Sequence, residues 1–223
     1  MRTLYLVRHA QSESNAGSIS RADRDIALTP LGMAQAAQLA ERLPQPAAVY
    51  CSELKRTRQT AAPYLARWQQ QACIVPELNE FSYPACETVA DKNGKERRLL
   101  AGTNWQEASS QRQTITAAHT MPDSFAGFIA RVARWRRCLA PELPNGSFSF
   151  THGLWLAMLI WQLLGHPCKN SDDMRCFRAW KRQLPMPNTA TFALTIMDTG
   201  IMSLRFLPHY CVAAVPDSGA RQP

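Results

Sequence analysis

The sequence predicts an α/β fold with a mostly parallel central sheet, helices on both faces of that sheet, and an inserted lid or cap segment. The first observation is the order of elements, because short β-rich apolar runs alternate with helical periodicities in the first third of the chain. The second is a pair of histidines, each at the end of a predicted strand. The third is an aperiodic stretch from about 81 to 122, since long irregular stretches within compact domains are typical of lids and binding insertions.

The first third of the chain predicts three strands and two helices. A strand over 3–7 is followed by a helix that Thr29 caps and Pro30 opens, because these residue types favour the N-cap and the first helical position. The remaining elements are a strand over 47–51, a helix over 53–68 capped by Ser52, and a short strand over 74–75.

Regular structure is predicted again after the aperiodic stretch. An amphipathic helix capped by Asp123 or Ser124 carries an apolar stripe, and its arginines, Arg131 among them, are expected on a solvated face. A strand over 147–151 leads through His152 into an apolar helix that ends near 164. A helix over 172–182 capped by Ser171 and a hairpin of strands over 191–197 and 201–206 follow. We interpret the chain as a single domain over 1–223.

Charge, cysteine spacing and the length of apolar runs narrow the functional classes to which the protein can belong. The 223 residues carry a net charge of +8, and the 25 basic residues are 20 arginines and 5 lysines. Arginine presents a planar fork of donors that fits phosphate or carboxylate, which indicates an anionic ligand, although a solvated basic surface explains the same count. Seven cysteines without CxxC spacing fit neither a disulfide framework nor a zinc knuckle. The longest apolar run is too short to span a membrane, so we expect a cytoplasmic protein with no membrane partner.

The candidate site residues follow three of the predicted strands. Arg8 and His9 follow the first strand, Arg56 the second, and His152 the fourth. Because ligands of α/β sheets bind outside the carboxyl ends of the strands, these side chains are expected around one pocket. Gly153 opens a helix whose free N–H groups suit an anion. Two guanidinium groups and two imidazoles around one point need an anion between them, and phosphate fits best.

The blocks around these residues resemble the histidine phosphatase superfamily, in its phosphoglycerate-mutase-like branch. Six such blocks occur in the family's order along almost the whole chain, at residues 6–15, 28–36, 52–61, 78–80, 151–153 and 187–191. The resemblance implies a phosphoglycerate-mutase-like fold and a phosphatase-type enzyme. Its implied reaction is hydrolysis of a phosphomonoester on a small metabolite, through a phosphohistidine.

The resemblance also assigns roles to residues. His9 is the implied nucleophile, while Arg8, Arg56 and His152 hold the phosphoryl oxygens with help from Asn15. These donors neutralise the equatorial oxygens, which is the main requirement of phosphoryl transfer.

The implied proton donor is Glu80, whose pKa should be raised among phosphate charges. The sequence departs from the family after this position, where glycine and a further glutamate are common, and Glu87 is therefore a second candidate. Arg21, in the polar loop after the first block, is a candidate for contacting a charged substrate, and plain solvation explains it equally. Arg58 is expected on the helix surface, because two helical positions rotate it away from Arg56.

Two other functions compete with hydrolysis. A 2,3-bisphosphoglycerate-dependent phosphoglycerate mutase shares the chemistry up to the intermediate, but the loop after His9 lacks the tryptophan-asparagine pair of the mutases. A non-catalytic module that binds nucleic acid would show a basic stripe with interleaved aromatic residues, and the arginines here are spread along the chain. We expect a small phosphorylated substrate, no nucleic acid partner, no cofactor and no metal, because no His-x-His or carboxylate cluster has metal spacing. The sequence leaves the substrate and the oligomeric state open.

Overall fold

The computed structural model describes residues 1–17, 23–81, 125–169 and 171–212. In chain order its strands are β1 (Arg2–Arg8), β2 (Val49–Cys51), β3 (Ala72–Ile74), β4 (Phe148–Thr151), β5 (Thr191–Ile196) and β6 (Met202–Phe206). The helices of the described residues are α1 (Pro30–Arg42), α2 (Lys55–Trp68), α3 (Phe125–Arg134), α4 (Gly153–Leu163) and α5 (Ser171–Gln183).

The six strands form one sheet in the order β3-β2-β4-β1-β5-β6. The first four strands in that order are parallel, while β5 pairs antiparallel with β1 and β6 pairs antiparallel with β5. The predicted α/β fold with a mostly parallel sheet is confirmed, and so is the closing hairpin. The predicted lid over 81–122 lies outside the described residues except for Phe81, its first position.

The sheet is covered on both faces because its strands alternate their apolar side chains. In β1, Leu4 and Leu6 belong to one hydrophobic cluster and Val7 to another on the opposite face. Helices α1 and α2 complete the cluster of Val7, with Leu39 and Tyr64 among its buried residues. Helices α3, α4 and α5 complete the other, which includes Phe128, Trp155 and Phe177. The two hydrophobic clusters together hold the helices against both faces of the sheet.

Helix α1 begins against the loop that follows His9. Thr29 is its N-cap as predicted, and the Thr29 Oγ1 accepts a hydrogen bond from the Gly32 N–H at 3.0 Å. A Cβ on Gly32 would lie 1.9 Å from the Gln11 carbonyl oxygen, so this close approach requires glycine. The Thr29 N–H donates to the same carbonyl at 3.0 Å. The start of α1 therefore holds the loop after β1 in place.

The predicted start of α2 is wrong. The helix begins at Lys55 with Leu54 as its N-cap, and no side chain caps it. Ser52 was expected to cap α2. Its hydroxyl instead forms a hydrogen bond with His152, the residue that follows β4, and accepts another from the Leu54 N–H at 3.2 Å. The predicted third strand is displaced by a few residues, and α5 begins at Ser171 itself. The cap predicted at 123 or 124 lies outside the described residues.

Candidate active site

The register of β1 and β4 brings the two histidines together. Arg8 is the parallel partner of Thr151, so the residues that follow them, His9 and His152, leave the sheet side by side. The His9 N–H donates to the Thr151 carbonyl at 3.0 Å, and the two imidazole rings meet edge to face with their centroids 5.2 Å apart. Both side chains are buried. The geometry matches the expectation that the carboxyl ends of the parallel strands build one site.

Among the described residues, His9 is held by one of its two ring nitrogens. Its Nδ1 lies 2.7 Å from the Ala10 carbonyl oxygen, which can only accept, so Nδ1 carries the proton in the neutral ring and the lone pair is on Nε2. The Ala10 N–H donates to Thr60 Oγ1 at 3.0 Å, which fixes this stretch of backbone against α2. Burial and the neighbouring Arg56 and Arg8 lower the pKa of His9 well below its usual value, so the ring is neutral.

A strained loop supports His9 from the other side. Asn188 Nδ2 donates to the His9 carbonyl oxygen and to Asn15 Oδ1, both at 3.0 Å. Thr189 has a positive φ of 61°, an unusual conformation for a β-branched residue, and its hydroxyl accepts from the Val212 N–H at 2.8 Å. Backbone strain of this kind persists where surrounding contacts determine the conformation. The loop thereby places Asn188 between His9 and Asn15.

His152 is held by both ring nitrogens. The Arg56 Nε–H donates to Nδ1 at 3.3 Å, so Nδ1 is the acceptor and Nε2 carries the proton. Nε2 lies 2.8 Å from Ser52 Oγ, which in turn lies 2.8 Å from Thr57 Oγ1. The Thr57 hydroxyl donates to the Leu54 carbonyl at 2.7 Å. In this series of hydrogen bonds His152 Nε2–H donates to Ser52 and the Ser52 hydroxyl donates to Thr57, so every proton has an acceptor. Burial, followed by Arg56, lowers the pKa of His152 well below its usual value.

Arg8 lies along the start of α4. Its Nη1 donates to the Met186 carbonyl oxygen, and its buried Nε has no hydrogen-bond partner within the described residues. A Cβ on Gly153 would lie 3.1 Å from that Nε, so glycine lets the guanidinium approach the helix N-terminus. Burial lowers the pKa of Arg8, while Glu80 raises it. A half-buried guanidinium whose Nε–H is buried and unpaired among the described residues, beside a helix N-terminus, is suited to an anionic ligand.

Arg56 is anchored to a carboxylate that the sequence did not single out. Its Nη1 donates to the Asp23 carbonyl oxygen at 2.8 Å and to Asp23 Oδ1 at 3.0 Å, and the Arg56 side chain is only 5% exposed. Asp23 comes from the short 3-10 turn Asp23–Asp25, directly after the undescribed positions 18–22. Arg58, in contrast, is exposed, as expected for its position on α2.

Glu80 lies at the N-terminus of α4. Its Oε2 accepts from the Leu154 N–H at 3.0 Å, and its Oε1 accepts from the N–H groups of Trp155 at 3.0 Å and Phe81 at 3.1 Å. Burial raises the pKa of Glu80 above its usual value, and these hydrogen bonds oppose the shift, as does Arg56. Within the described residues the first-turn N–H of Gly153 keeps no protein acceptor, so α4 presents one donor beside the carboxyl group.

Arg131 holds the backbone of the acidic residue, which corrects the expectation that it lies on a solvated face. Its Nη2 donates to the Glu80 carbonyl oxygen at 3.1 Å, and its guanidinium lies 5.4 Å from the Phe128 ring centroid. Asn79, which precedes Glu80, bonds through its side chain to the carboxylate of Glu53 at 2.7 Å. Glu80 is thus fixed from three elements.

The structure brings Arg8, His9, Arg56 and His152 together, with Glu80 and Gly153 at the adjoining helix N-terminus. Asn15 joins them through Asn188. Arg21 and Glu87 lie outside the described residues.

Sequence reasoning missed three residues that shape this site: Ser52 as a partner of His152, Asp23 and Arg131. Their contacts depend on long-range geometry.

The described residues contain neither a candidate metal site nor a helix able to cross a membrane. Positions 1–17, 23–81, 125–169 and 171–212 contain no group of three or more histidine, cysteine or acidic residues placed to hold a metal ion. None of the helices in these ranges has the length and apolar character needed to cross a membrane.

Comparison with known proteins identifies the family. Residues 4–189 match the family model of the histidine phosphatase superfamily (branch 1). The chain is 30% identical over 177 residues to an adenosylcobalamin/alpha-ribazole phosphatase of Salmonella typhi, covering 74% of this chain and 80% of that protein. It is 29% identical over 182 residues to a probable phosphoglycerate mutase GpmB of Proteus mirabilis, covering 78% and 80%.

A solved structure has the same fold. The alpha-ribazole phosphatase from Shigella flexneri superimposes with a TM-score of 0.69 at 24% identity, covering 96% of this chain and 100% of that chain. Relatives that carry phosphatase names, among them a metal-independent phosphoserine phosphatase of Arabidopsis thaliana, support the hydrolase interpretation over the mutase. The chain therefore belongs to the histidine phosphatase superfamily, and its interpretation as a phosphoric monoester hydrolase of that family is confirmed.

Proposed function

We propose that the protein hydrolyses phosphomonoesters of small metabolites in two steps, through a phosphohistidine at His9. The observation that carries this proposal is the hydrogen bonding of the His9 ring. Nδ1 donates to the Ala10 carbonyl, which leaves the Nε2 lone pair as a nucleophile beside Arg8 and Arg56. A neutral imidazole held by its other nitrogen is an effective nucleophile near neutral pH.

In the first step the His9 Nε2 lone pair forms a bond to phosphorus while the bond from phosphorus to the ester oxygen breaks. The leaving oxygen takes a proton from the Glu80 carboxyl group and departs as an alcohol. Burial, which raises the pKa of Glu80, supports this role because it favours the protonated acid. Arg8, Arg56 and the Gly153 N–H neutralise the three equatorial oxygens.

In the second step the Glu80 carboxylate takes a proton from water, and the water oxygen attacks phosphorus in line with the bond to His9. That bond breaks, inorganic phosphate leaves, and both His9 and Glu80 return to their starting protonation states. His152 supports the transferring group as a neutral ring whose orientation Arg56 and Ser52 fix. The cycle consumes one water molecule and needs no redox partner.

Glu80 is the proposed acid because α4 aims its carboxyl group at the site. Three backbone N–H groups orient it, and Arg131 fixes its peptide. Glu87 remains the second candidate, as a prediction for a position outside the described residues.

We also propose that the chain is one domain over 1–223, in which the segment 81–122 covers the site and selects the substrate. The segment begins at Phe81, directly after Glu80, and the Phe81 N–H donates to Glu80 Oε1 at 3.1 Å. Relatives named adenosylcobalamin/alpha-ribazole phosphatase and metal-independent phosphoserine phosphatase support a small phosphorylated substrate for this chain.

A phosphatase screen tests the proposed function. Wild type should hydrolyse p-nitrophenyl phosphate and at least one member of a panel of phosphorylated metabolites, and His9→Asn should be inactive while its circular dichroism spectrum is unchanged. Wild-type protein with no activity on any phosphomonoester would contradict the proposal. Transfer of label from phosphoenzyme to 3-phosphoglycerate, without release of free phosphate, would indicate the mutase instead.

We place the protein in the cytoplasm. The cysteines of the described residues are all unpaired, which is typical of a reducing compartment. Recovery of the native protein from an extracellular fraction would contradict this placement.

A further inference from the structure

Two asparagines connect the proposed nucleophile to the loop that follows it. Asn188, in the loop before β5, lies between the carbonyl oxygen of His9 and the side-chain oxygen of Asn15. Its Nδ2 nitrogen donates one hydrogen to each oxygen, at 3.0 Å in both cases. A side-chain amide has two such hydrogens, so both are used here. Because the two acceptors share one nitrogen, Asn15 lies at the same edge of the site as His9.

Backbone groups fix the orientation of the Asn188 amide. The His9 carbonyl can only accept, so the part of Asn188 that faces it must be the nitrogen and not the oxygen. The next residue, Thr189, donates its N–H to the same carbonyl at 3.4 Å. Its hydroxyl accepts from the Val212 N–H at 2.8 Å, which anchors the loop. The direction in which Asn188 donates is therefore determined by groups that cannot exchange roles.

The Asn15 amide is fixed from its other side by Ser12. Asn15 Oδ1 accepts from the Ser12 N–H and from the Ser12 hydroxyl, both at 3.2 Å, in addition to Asn188. If the Asn15 amide turned over, its NH2 group would face the Ser12 N–H and the Asn188 NH2 group, which are both donors. Asn15 is exposed, and among the described residues its Nδ2 has no acceptor. Two N–H donors of Asn15 therefore remain for a ligand.

We infer, on the basis of the proposed function, that Asn188 is a positioning residue that holds Asn15 with its Nδ2 group as a donor to the phosphoryl group at His9. Asn188 acts through Asn15. Its second hydrogen bond ties the Asn15 side chain to the strand end that carries the nucleophile, so the donor and the nucleophile keep their spacing. Asn15 thereby adds a neutral donor to the charged donors of Arg8 and Arg56.

A double-mutant cycle with uncharged substitutions tests the inference. The probe is inorganic phosphate, assayed as a competitive inhibitor of p-nitrophenyl phosphate hydrolysis. Asn15→Ala should raise the inhibition constant of phosphate about tenfold, since one hydrogen bond to an anion is lost. Asn188→Leu keeps the approximate size of the side chain and removes both donors, and it should raise the same constant about threefold to tenfold. In the Asn15→Ala background, Asn188→Leu should add little.

The division of the effect between KM and kcat separates positioning from a purely structural role. Asn188→Leu should raise KM for p-nitrophenyl phosphate together with the inhibition constant of phosphate. It should lower kcat by about twofold or less, because the His9 carbonyl keeps the N–H of Thr189. A lower melting temperature with unchanged KM and inhibition constant would overturn the inference. Full additivity of Asn15→Ala and Asn188→Leu would overturn it as well, since Asn188 would then not act through Asn15.

Asn145 supplies a matched control at the opposite end of β1. It is also a loop asparagine bound to that strand, and its Oδ1 accepts from the Thr3 N–H at 2.7 Å. Asn145→Leu should lower the melting temperature without changing the inhibition constant of phosphate. An equal rise of that constant in Asn145→Leu would overturn the role of Asn188, because any loosened loop on β1 would then weaken phosphate binding. The proposed function would survive that result, since its own tests are wild-type turnover and the inactivity of His9→Asn.

Discussion

The two histidines at the ends of β1 and β4 have the same position in the sheet but different hydrogen bonds. His9 Nδ1 forms a hydrogen bond with a backbone carbonyl, and its Nε2 has no partner among the described residues. His152 has both nitrogens occupied, by Arg56 on one side and by Ser52 on the other. A ring with both nitrogens engaged has no lone pair to offer phosphorus. The difference indicates why one imidazole can be the nucleophile while the other serves as a fixed support.

Exchange of each histidine for asparagine gives the largest expected effects. His9→Asn removes the nucleophile and should lower kcat for p-nitrophenyl phosphate by roughly 10⁴-fold or more. His152→Asn keeps the nucleophile and removes one supporting group, so the expected loss is about 10²- to 10³-fold. Steady-state kinetics with matched melting temperatures checks both. Equal losses would contradict the distinction between the two rings.

The sequence was sufficient to predict the strand ends but not the partners of the rings. Arg8, His9 and His152 follow strands whose apolar runs are easy to recognise, and a parallel sheet collects such residues at one edge. Ser52 was interpreted as a helix cap, which is the common role of a serine before a helix. Its contact with His152 spans 100 positions of the chain, and local pattern carries no information about such a contact.

The contacts around Glu80 were likewise not predictable from local sequence patterns. Glu80 was identified through a resemblance, while its three N–H partners at the start of α4 depend on how that helix packs on the sheet. Arg131 is one of several arginines on α3, and helical periodicity alone did not separate the one that reaches the Glu80 carbonyl. Asp23 follows an aperiodic loop, so no sequence pattern predicted its ion pair with Arg56.

Replacing the acid should affect substrates unequally. Glu80→Gln keeps the size and, through its amide oxygen, the hydrogen bonds that one carboxyl oxygen accepts, but it cannot transfer a proton to the leaving oxygen. We expect kcat for an alkyl phosphate to fall by about 10²- to 10³-fold, and kcat for p-nitrophenyl phosphate to fall much less, because nitrophenolate leaves without a proton. A series of aryl phosphates of graded leaving-group pKa checks this. A uniform loss across the series would contradict the assignment.

The pH profile of kcat/KM should sharpen the contrast between the histidine and the carboxyl group. His9 must be neutral, and its lowered pKa places the acid limb below pH 6.5. Glu80 must be protonated, and its raised pKa places the alkaline limb for alkyl phosphates above pH 4.5. Glu80→Gln should abolish the alkaline limb and keep the acid limb. An acid limb above pH 6.5 would show that the His9 ring is not the buried neutral base described here.

The smallest effects are expected from the residues that hold each ring. Ser52→Ala removes the acceptor of His152 Nε2–H and leaves His9 untouched, and Thr60→Val removes the acceptor of the Ala10 N–H and leaves His152 untouched. Each should lower kcat about threefold to tenfold, as expected for one hydrogen bond. In the His152→Asn background, Ser52→Ala should add little, whereas Thr60→Val should keep its full effect. Full additivity of Ser52→Ala with His152→Asn would show that Ser52 does not act through His152.

The central claim is that the transferred phosphoryl group resides on the ring with the free nitrogen. Rapid quench of the enzyme with a ³²P-labelled substrate, followed by peptide mapping under alkaline conditions that preserve phosphohistidine, measures this directly. The account predicts label on the peptide that contains His9, both in wild type and in His152→Asn, and no label in His9→Asn. Label on the peptide that contains His152, or label that persists in His9→Asn, would contradict it.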